Sequence, residues 1–316
     1  MFGLSSKKTS CGLQILDRQA KIVSASGSSR ARIAKQQSVP LSEGIVRDGK
    51  IIDEEALVRN LSIAVDRLSI REASATLVIP TSSIILRKAN LPSVKNKELR
   101  NLIDVELNSG DAKLPFKNPI FDFIPIREEN GHKEVLIFAS AAEVVEQYVD
   151  IARRSGLQPV AVDAAPLALF RLLLRCYKAE GQALPQRFVL LDAESDRAEI
   201  SIFVNGYPFF FRAVTISSHQ LIDEDADRME AYGRQMSTEM GRVMNYYKYS
   251  VATAADEEEV GELILIGDAA LTEGLSKAVE SDFKKVTSLP MDRAVTNYDP
   301  QMKSFAVPIG LAMKGA

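Results

Sequence analysis

The side chains that most often catalyse reactions or bind metals are spaced without a recognisable pattern in this sequence. His132 and His219 lie far apart and have no Ser/Asp or Cys partner at a useful spacing, which disfavours a triad or a metal role. Cys11 and Cys176 also stand alone, with no Cys-x-x-Cys or Cys/His spacing. That usage argues against a zinc site and fits a reducing cytoplasm. We therefore expect neither a bound metal nor a catalytic residue among these groups.

Two neighbouring acids, Glu54 and Glu55, could be mistaken for a paired-carboxylate acid/base site. They follow Asp53, a favoured N-cap residue, and they open an amphipathic segment that runs to about Leu68. Adjacent helical residues point apart, whereas acids in the first turn interact favourably with the helix N-terminus. The pattern predicts a capped helix without a catalytic role.

The stretch 188–214 contains the elements that would have to position any functional group. An apolar run ends at Asp192 and a second run, Ile200–Val204, alternates with a period of two. Asn205 and Gly206 then favour a tight type I′ turn before a third, aromatic run. We predict a three-strand meander. A similar opening hairpin is predicted near residues 12–23.

Meanders of this kind resemble those of actin-like ATPases, in which the turn after the first strand carries a phosphate loop. The resemblance places Asp192 at the loop aspartate, but Glu194 stands where a glycine is usual. In the first hairpin, Gln14 occupies the aspartate position, Leu16 the glycine position, and Lys21 matches the lysine. Glutamine and leucine supply neither a metal-positioning carboxylate nor the close backbone approach that glycine permits.

The third nucleotide element of that fold is a glycine-rich turn after a later strand. Here it reads Gly267-Asp268-Ala269-Ala270, so one glycine remains and Asp268 adds negative charge. No Gly-x-x-x-x-Gly-Lys-[Ser/Thr] string occurs, so a P-loop does not replace it. We therefore interpret Gln14, Leu16, Lys21, Asp192, Glu194, Gly267 and Asp268 as degenerate nucleotide-loop positions.

A narrower resemblance, to the PilM family of type IV pilus assembly proteins, extends over nearly the whole chain. It rests on the order and spacing of several segments. They are Glu43-Gly44 with Gly49, Ile51 and Asp53; Leu91-Pro92 before a helix at 97–108; Leu114-Pro115-Phe116; Asp163 to Leu169; Ser237 to Tyr247; and Phe305 to Ala312.

The resemblance implies an α/β, actin-like (FtsA-like) ATPase fold with two related halves. The first half would span 1–185 and carry an inserted subdomain at about 80–160. The second would span 186–316, with a helical excursion at about 217–255. Within that excursion Met229, Met236, Met240 and Met244 fall near one face, which indicates core packing more than a binding surface.

The same resemblance implies a scaffold that binds the cytoplasmic N-terminal segment of a PilN-like bitopic inner-membrane protein. The segment would lie between the first half and the insert, in the inner-membrane platform of a type IV pilus or related secretion machine. We predict that Ile84, Leu86, Leu102 and Val105 line this groove. The expected protein is not an enzyme, needs no cofactor, and contacts other platform components.

Two alternatives stay open at this point. One is an ATP-binding switch or ATPase in the same assembly, for which ATP and magnesium would be the cofactors. The other is the cytoplasmic L component of type II secretion, which normally continues into a membrane span.

Composition excludes several other classes. With 316 residues and a net charge of −3, the chain can bury a large core and shows no field favouring nucleic acid or membrane. No apolar run is long enough to span a bilayer, and the first ten residues lack a signal-peptide core. We expect a cytoplasmic protein, peripheral to the inner membrane through protein partners, without direct membrane insertion.

Overall fold

Two five-stranded sheets dominate the fold, which we describe from a computed structural model. The structure describes residues 9–27, 30–110, 113–194, 197–216, 225–250, 259–267 and 269–314. The strands are β1 (Ser10–Ile15), β2 (Gln19–Ser26), β3 (Arg32–Pro40), β4 (Val46–Arg47), β5 (Lys50–Ile51), β6 (Ser74–Val78), β7 (Ile85–Pro92), β8 (Pro119–Glu129), β9 (His132–Ala141), β10 (Gln158–Asp163), β11 (Arg187–Ala193), β12 (Arg197–Val204), β13 (Tyr207–Thr215), β14 (Glu262–Gly267) and β15 (Lys285–Ser288). The helices are α1 (Glu54–Leu68), α2 (Asn96–Ser109), α3 (Ala142–Arg154), α4 (Ala165–Ala179), α5 (Asp225–Ser250), α6 (Ala269–Val279), α7 (Met291–Ala294) and α8 (Ala306–Ala312), with 3-10 turns at Thr81–Ser83, Glu280–Asp282 and Pro300–Phe305.

The two sheets repeat one topology, which confirms the predicted pair of related halves. In the first, the order is β3-β2-β1-β6-β10, and in the second it is β13-β12-β11-β14-β15. Each begins as an antiparallel three-strand meander, and two further strands join it in parallel beside the meander's first strand. An actin-like architecture is built from this duplicated unit.

Local sequence signals account for several of the observed turns and caps. Asn205 and Gly206 both have positive φ angles, 51° and 81°, as the predicted type I′ turn between β12 and β13 requires. At the start of α1, the Asp53 carboxylate accepts a hydrogen bond from the Ala56 amide at 2.9 Å. Both predictions are confirmed.

The inserted subdomain consists of a separate three-stranded sheet, ordered β7-β9-β8, and α2. Helix α2 packs on one face of that sheet, where Leu99, Ile103 and Leu107 meet Val135 and Ile137. The subdomain therefore covers about residues 85–141. The expected span of 80–160 also takes in α3 and β10, but both belong to the first half: Tyr148 on α3 is buried in that half's core and β10 pairs with β6.

The final helix, α8, returns to the first half. Its residues share a buried cluster with α4 and with both sheets. The contact is close, because a Cβ atom added to Gly12 in β1 would lie 1.9 Å from the Pro308 carbonyl oxygen. The predicted boundary between residues 185 and 186 falls between α4 and β11, yet residues 306–312 pack with the first half.

The helical excursion of the second half is α5 within its described residues. Met236 and Met240 are buried against the second sheet, and Met244 is partly buried beside them, so these three pack as predicted. The side chain of Met229, like His219, lies outside the described residues.

Candidate functional site

Lys21 lies at the centre of the cleft between the two halves. It stands opposite Gln14 in the β1–β2 ladder and is only 1% exposed. Its ammonium donates hydrogen bonds to Glu194 Oε1 at 2.5 Å and to the Ser304 carbonyl oxygen at 2.7 Å. The lysine ammonium therefore already donates to a carboxylate of the second half and to a backbone carbonyl of the 3-10 turn Pro300–Phe305.

The surroundings raise the pKa values of two acids at the end of β11, Asp192 and Glu194. Burial raises the pKa of Glu194 to about 7, although the attraction of Lys21 opposes the shift. Burial also raises the pKa of Asp192, again against the attraction of Lys21 and Arg197. The cleft therefore holds one buried ammonium beside two carboxyl groups that ionise reluctantly.

The other predicted loop positions are enclosed as well. Gln14 and Leu16 are both buried, and Gln14 Oε1 has no hydrogen-bond partner among the described residues. Gly267 has a φ of 116°, and a Cβ atom there would lie 2.0 Å from the Ala193 carbonyl oxygen. Its lack of a side chain is thus required by the close packing of β14 on β11. Asp268 lies outside the described residues.

A second polar link crosses the cleft, and sequence reasoning missed it. The Thr81 hydroxyl donates a hydrogen bond to Glu199 Oε2 at 2.9 Å, and Arg197 contacts the other carboxylate oxygen. Thr81 and Glu199 are both buried. Glu199 is a charged residue between the apolar residues Ala198 and Ile200 of β12, and this signal could have identified it.

A groove of about 310 Å³ separates the insert from the first half. The insert contributes residues of β8 and β9, including Ile120, Ile124 and Phe138, whereas the first half contributes β10 and α4, including Val162 and Leu167. Most of this lining is apolar. Both β8 and β10 are edge strands of their sheets, so strands with a free edge border the groove.

Polar groups stand at defined places in the groove. The Ser140 hydroxyl is buried in its lining and has no hydrogen-bond partner among the described residues. Asp163 receives ion pairs from Arg171 at 2.7 Å and from Lys314 at 3.2 Å, and all three residues line the groove. Arg171 and Lys314 keep exposed side-chain surface and can contact polar atoms of a bound chain.

The structure brings one of the four predicted groove residues to this site. Ile84 lines the groove. Leu86 faces the same side of the insert sheet as its ladder partner Phe138 but lies beyond the lining. Leu102 packs against the core of the insert, and Val105 is 62% exposed on α2. Both residues belong to α2, which covers the side of the sheet away from the groove, so neither is part of the groove lining.

Neither a metal cluster nor a membrane-spanning helix is found in the part of the chain that the structure describes. No group of three or more His, Cys, Asp or Glu side chains there is arranged to hold a metal ion. Among the same residues, no helix is both long and apolar enough to cross a membrane.

Comparison with known proteins gives consistent results. A family model described as type IV pilus assembly protein PilM matches residues 12–231. A solved structure described as a PilM–PilN type IV pilus biogenesis complex superposes with a TM-score of 0.75 at 20% identity, covering 97% of this chain and 98% of that chain. No curated protein sequence matches the chain.

A more distant structure shows the same fold, and another gives a weaker match. The ethanolamine utilization protein EutJ from Carboxydothermus hydrogenoformans matches with a TM-score of 0.54 at 12% identity, covering 96% of this chain and 89% of that one. The cytoplasmic domain of EpsL, from the type II secretion system of Vibrio cholerae, reaches 0.48 at 10% identity, with 86% and 95% covered. The fold is that of the actin-like ATPases.

Proposed function

Because the chain belongs to the PilM family of type IV pilus assembly proteins, we propose that it binds the cytoplasmic N-terminal segment of a PilN-like bitopic inner-membrane protein. The groove between the first half and the insert is the observation that carries this proposal. Most of its lining is apolar, the first half and the insert both contribute to that lining, and edge strands border it. The shared fold with a PilM–PilN complex over nearly the full chain supports PilN as the partner.

An extended segment suits this groove better than a helix does. An added strand can pair its backbone with a free sheet edge while alternate side chains enter apolar pockets. Fully burying an apolar side chain contributes roughly 1.5–3 kcal/mol. Micromolar affinity corresponds to about −8 kcal/mol. A few buried side chains together with edge hydrogen bonds are of the right order, after the loss of freedom on association.

The proposed role is that of a scaffold that does not hydrolyse ATP. In the cleft, the Glu194 carboxylate already pairs with Lys21, the residue that matches the lysine of the first hairpin in the family resemblance. Leu16 is buried where a glycine would let backbone amides approach a phosphate. This donor set fits a triphosphate with magnesium poorly. We propose that the scaffold works without a cofactor, in the cytoplasm, held at the inner membrane by its protein partners and other platform components.

A second candidate, an ATP-binding switch in the same assembly, has one observation in its favour. Lys21, Asp192 and Gly267 meet at the cleft, since Asp192 and Gly267 end neighbouring strands and Lys21 lies across from them. A nucleotide that displaced Glu194 from Lys21 would meet these groups.

Peptide binding to groove variants tests the proposed function. The probe is a fluorescein-labelled synthetic peptide with the N-terminal cytoplasmic residues of the PilN-like protein from the same organism, measured by anisotropy. We expect micromolar or tighter binding. Ile120→Arg should weaken it at least about tenfold, because Ile120 lines the groove, and its 44% exposure leaves room for the longer side chain. Ile63→Arg is the matched control, since Ile63 is 58% exposed on α1, outside the groove.

Two results would count against the groove. One is a peptide that does not bind while the intact partner does. The other is equal weakening by Ile120→Arg and Ile63→Arg. A Val105→Arg variant adds a further arm, because loss of binding there would extend the contact surface to α2.

A further inference from the structure

The second sheet ends in an edge strand that is rich in aromatic residues. Among the described residues, β12 is the only strand that pairs with β13. Four of the nine residues of β13 are aromatic, namely Tyr207, Phe209, Phe210 and Phe211. All four are only partly buried. A free strand edge of this composition readily pairs with another chain.

Helix α5 runs along β13 and extends this surface. The rings of Phe209 and Tyr247 have centroids 5.9 Å apart, and those of Phe210 and Tyr246 have centroids 5.0 Å apart. Tyr246 is 49% exposed, and Tyr249, about one helical turn further along, is 81% exposed. Exposed tyrosines suit a protein interface, because the ring is apolar and the hydroxyl tolerates water. The surface, which we call the aromatic edge, consists of Phe210, Arg212, Arg242, Tyr246 and Tyr249.

The aromatic edge carries an excess of positive charge. Strand β13 and residues 235–250 of α5 contain three cations, Arg212, Arg242 and Lys248, and one acid, Glu239. The Glu239 side chain is buried, and both arginines pair with it, Arg212 at 3.5 Å and Arg242 more closely. One carboxylate neutralises at most one of these two exposed guanidinium groups. An acidic partner would therefore meet unneutralised cations beside an apolar surface.

The duplicated fold supplies an internal comparison. Strand β3 takes the same place in the first sheet that β13 takes in the second, at the outer edge of the meander. It contains no aromatic residue, and its exposed side chains include Arg32, Lys35 and Ser38. Charged and polar side chains of this kind protect a strand edge from unwanted pairing. The aromatic character of β13 is therefore not a requirement of the topology, because the other meander forms with a polar edge.

We propose that the aromatic edge binds an extended, acidic segment of a partner protein, which adds as a strand to β13. Backbone pairing is available from Phe209 to Val214. It stops there because Pro208 has no amide hydrogen and Gln235 already donates a hydrogen bond to the Thr215 carbonyl oxygen at 3.1 Å. Alternate side chains of the added strand face the tyrosines of α5, and its acids reach the arginines.

The charge of the surface selects between possible occupants. A second copy of this chain fits poorly, because twofold symmetry would bring the same cations face to face. The proposal goes beyond the proposed function, since none of the aromatic-edge residues lines the groove between the first half and the insert. The chain would then hold two partner segments at once, one on each half.

Fluorescence anisotropy with designed peptides tests this proposal on the full-length protein. The probe is a labelled octapeptide in which valine and tyrosine alternate with glutamate, and the comparison peptide has lysine in place of every glutamate. We expect the glutamate peptide to bind at least about tenfold more tightly, and the ratio to shrink at about 0.5 M salt because of screening. Hydrogen exchange should slow in the amides of β13 when the glutamate peptide is bound.

Two variants with matched controls locate the binding surface. Tyr249→Ser removes an exposed ring, and Arg242→Gln removes an exposed cation. Each should weaken binding of the glutamate peptide by about 3- to 10-fold. Ile63→Ser and Arg67→Gln make comparable changes at exposed positions of α1 and should bind like the wild type. Circular dichroism checks the fold of each variant, and Tyr249→Ser carries the test if Arg242→Gln does not fold.

The possible results separate this proposal from its alternatives. Equal binding of the glutamate and lysine peptides would overturn it, as would equal affinity of the wild type and both aromatic-edge variants for the glutamate peptide. A concentration-dependent dimer of the wild type that Tyr249→Ser abolishes would assign the surface to a second copy instead. None of these measurements uses the PilN-like segment, so a failure here leaves the proposed function of the groove standing.

Discussion

Replacing Glu194 with glutamine should change how the stability of this fold depends on pH. Glu194 is buried beside Lys21, and its pKa lies near 7 because burial penalises the charged form. A glutamine keeps the shape and can still accept the Lys21 hydrogen bond, but it carries no ionisable group. Comparing the wild type with Glu194→Gln therefore shows how ionisation of this one buried carboxyl group changes the free energy of unfolding.

The sign follows from the direction of the shift. Because the folded protein holds this proton more tightly than the unfolded chain, the carboxyl group favours folding at low pH. That contribution is complete below the ordinary pKa of 4.5 and is lost as the pH rises through about 7. The shift from 4.5 to about 7, at about 1.4 kcal/mol per pH unit, sets an upper limit of about 3 kcal/mol. Burial raises the pKa of Asp192 as well, so wild-type stability should fall across this window.

Urea unfolding at pH 5, 6, 7 and 8 measures the effect. We expect Glu194→Gln to match the wild type at pH 5 and to be more stable by about 1–3 kcal/mol at pH 8. Glu230→Gln is the matched control, because Glu230 pairs with Arg234 on the surface of α5 and its side chain is largely exposed. It should leave the pH profile unchanged.

Two results would refute this reasoning. Parallel profiles for the wild type and Glu194→Gln would mean that Glu194 does not change protonation on folding between pH 5 and 8. A loss of stability in Glu194→Gln at pH 8 would mean that the buried ion pair is worth more than its desolvation.

Two further predictions concern the cleft and the packing of the halves. If the cleft bound Mg-ATP at about 10 μM, 1 mM ligand would add about 2.7 kcal/mol and raise the melting temperature by roughly 5–10 °C. We expect no measurable rise, even after Leu16→Gly and Glu194→Gly while Gln14 remains; a magnesium-dependent rise in the wild type would favour the ATP-binding switch. Gly12→Ala should lower the free energy of unfolding by about 1–3 kcal/mol or more, because its Cβ would meet the Pro308 carbonyl oxygen at 1.9 Å. Gly241→Ala, on α5 with nothing within 4 Å of its added Cβ, is the control and should be neutral or stabilising in urea unfolding.

Features that depend on neighbours in sequence were predictable here. The Asn205-Gly206 turn and the Asp53 cap follow from short-range rules, and the structure contains both. The helix after Pro92, which the family resemblance implied, is also present. The family frame also placed Lys21, Asp192 and Glu194 at one cleft. Their proximity could be expected because equivalent strand ends of two related sheets face each other.

Contacts between distant segments were not predictable. Lys21 and Glu194 are 173 positions apart. Nothing in the sequence around either residue indicates that the two would form an ion pair. The sequence shows that Leu102 is an apolar residue of a predicted helix. It does not show which face of the insert sheet that helix, α2, covers. The amphipathic pattern of α3 likewise fits packing on the insert or on the first half. The sequence therefore could not show where the insert ends.

The return of α8 to β1 determines the order in which the protein can become stable during synthesis. All strands of the first sheet have been made by Asp163, but Val307, Ile309 and Leu311, which complete the core against β2 and α4, come about 150 residues later. At about 5–20 residues per second a ribosome needs roughly 7–30 s to reach them. During that interval the nascent first half exposes the apolar surface that α8 later covers. Chaperone binding should therefore concentrate on this surface, and a fragment that stops before α8 should aggregate even though its sheet is complete.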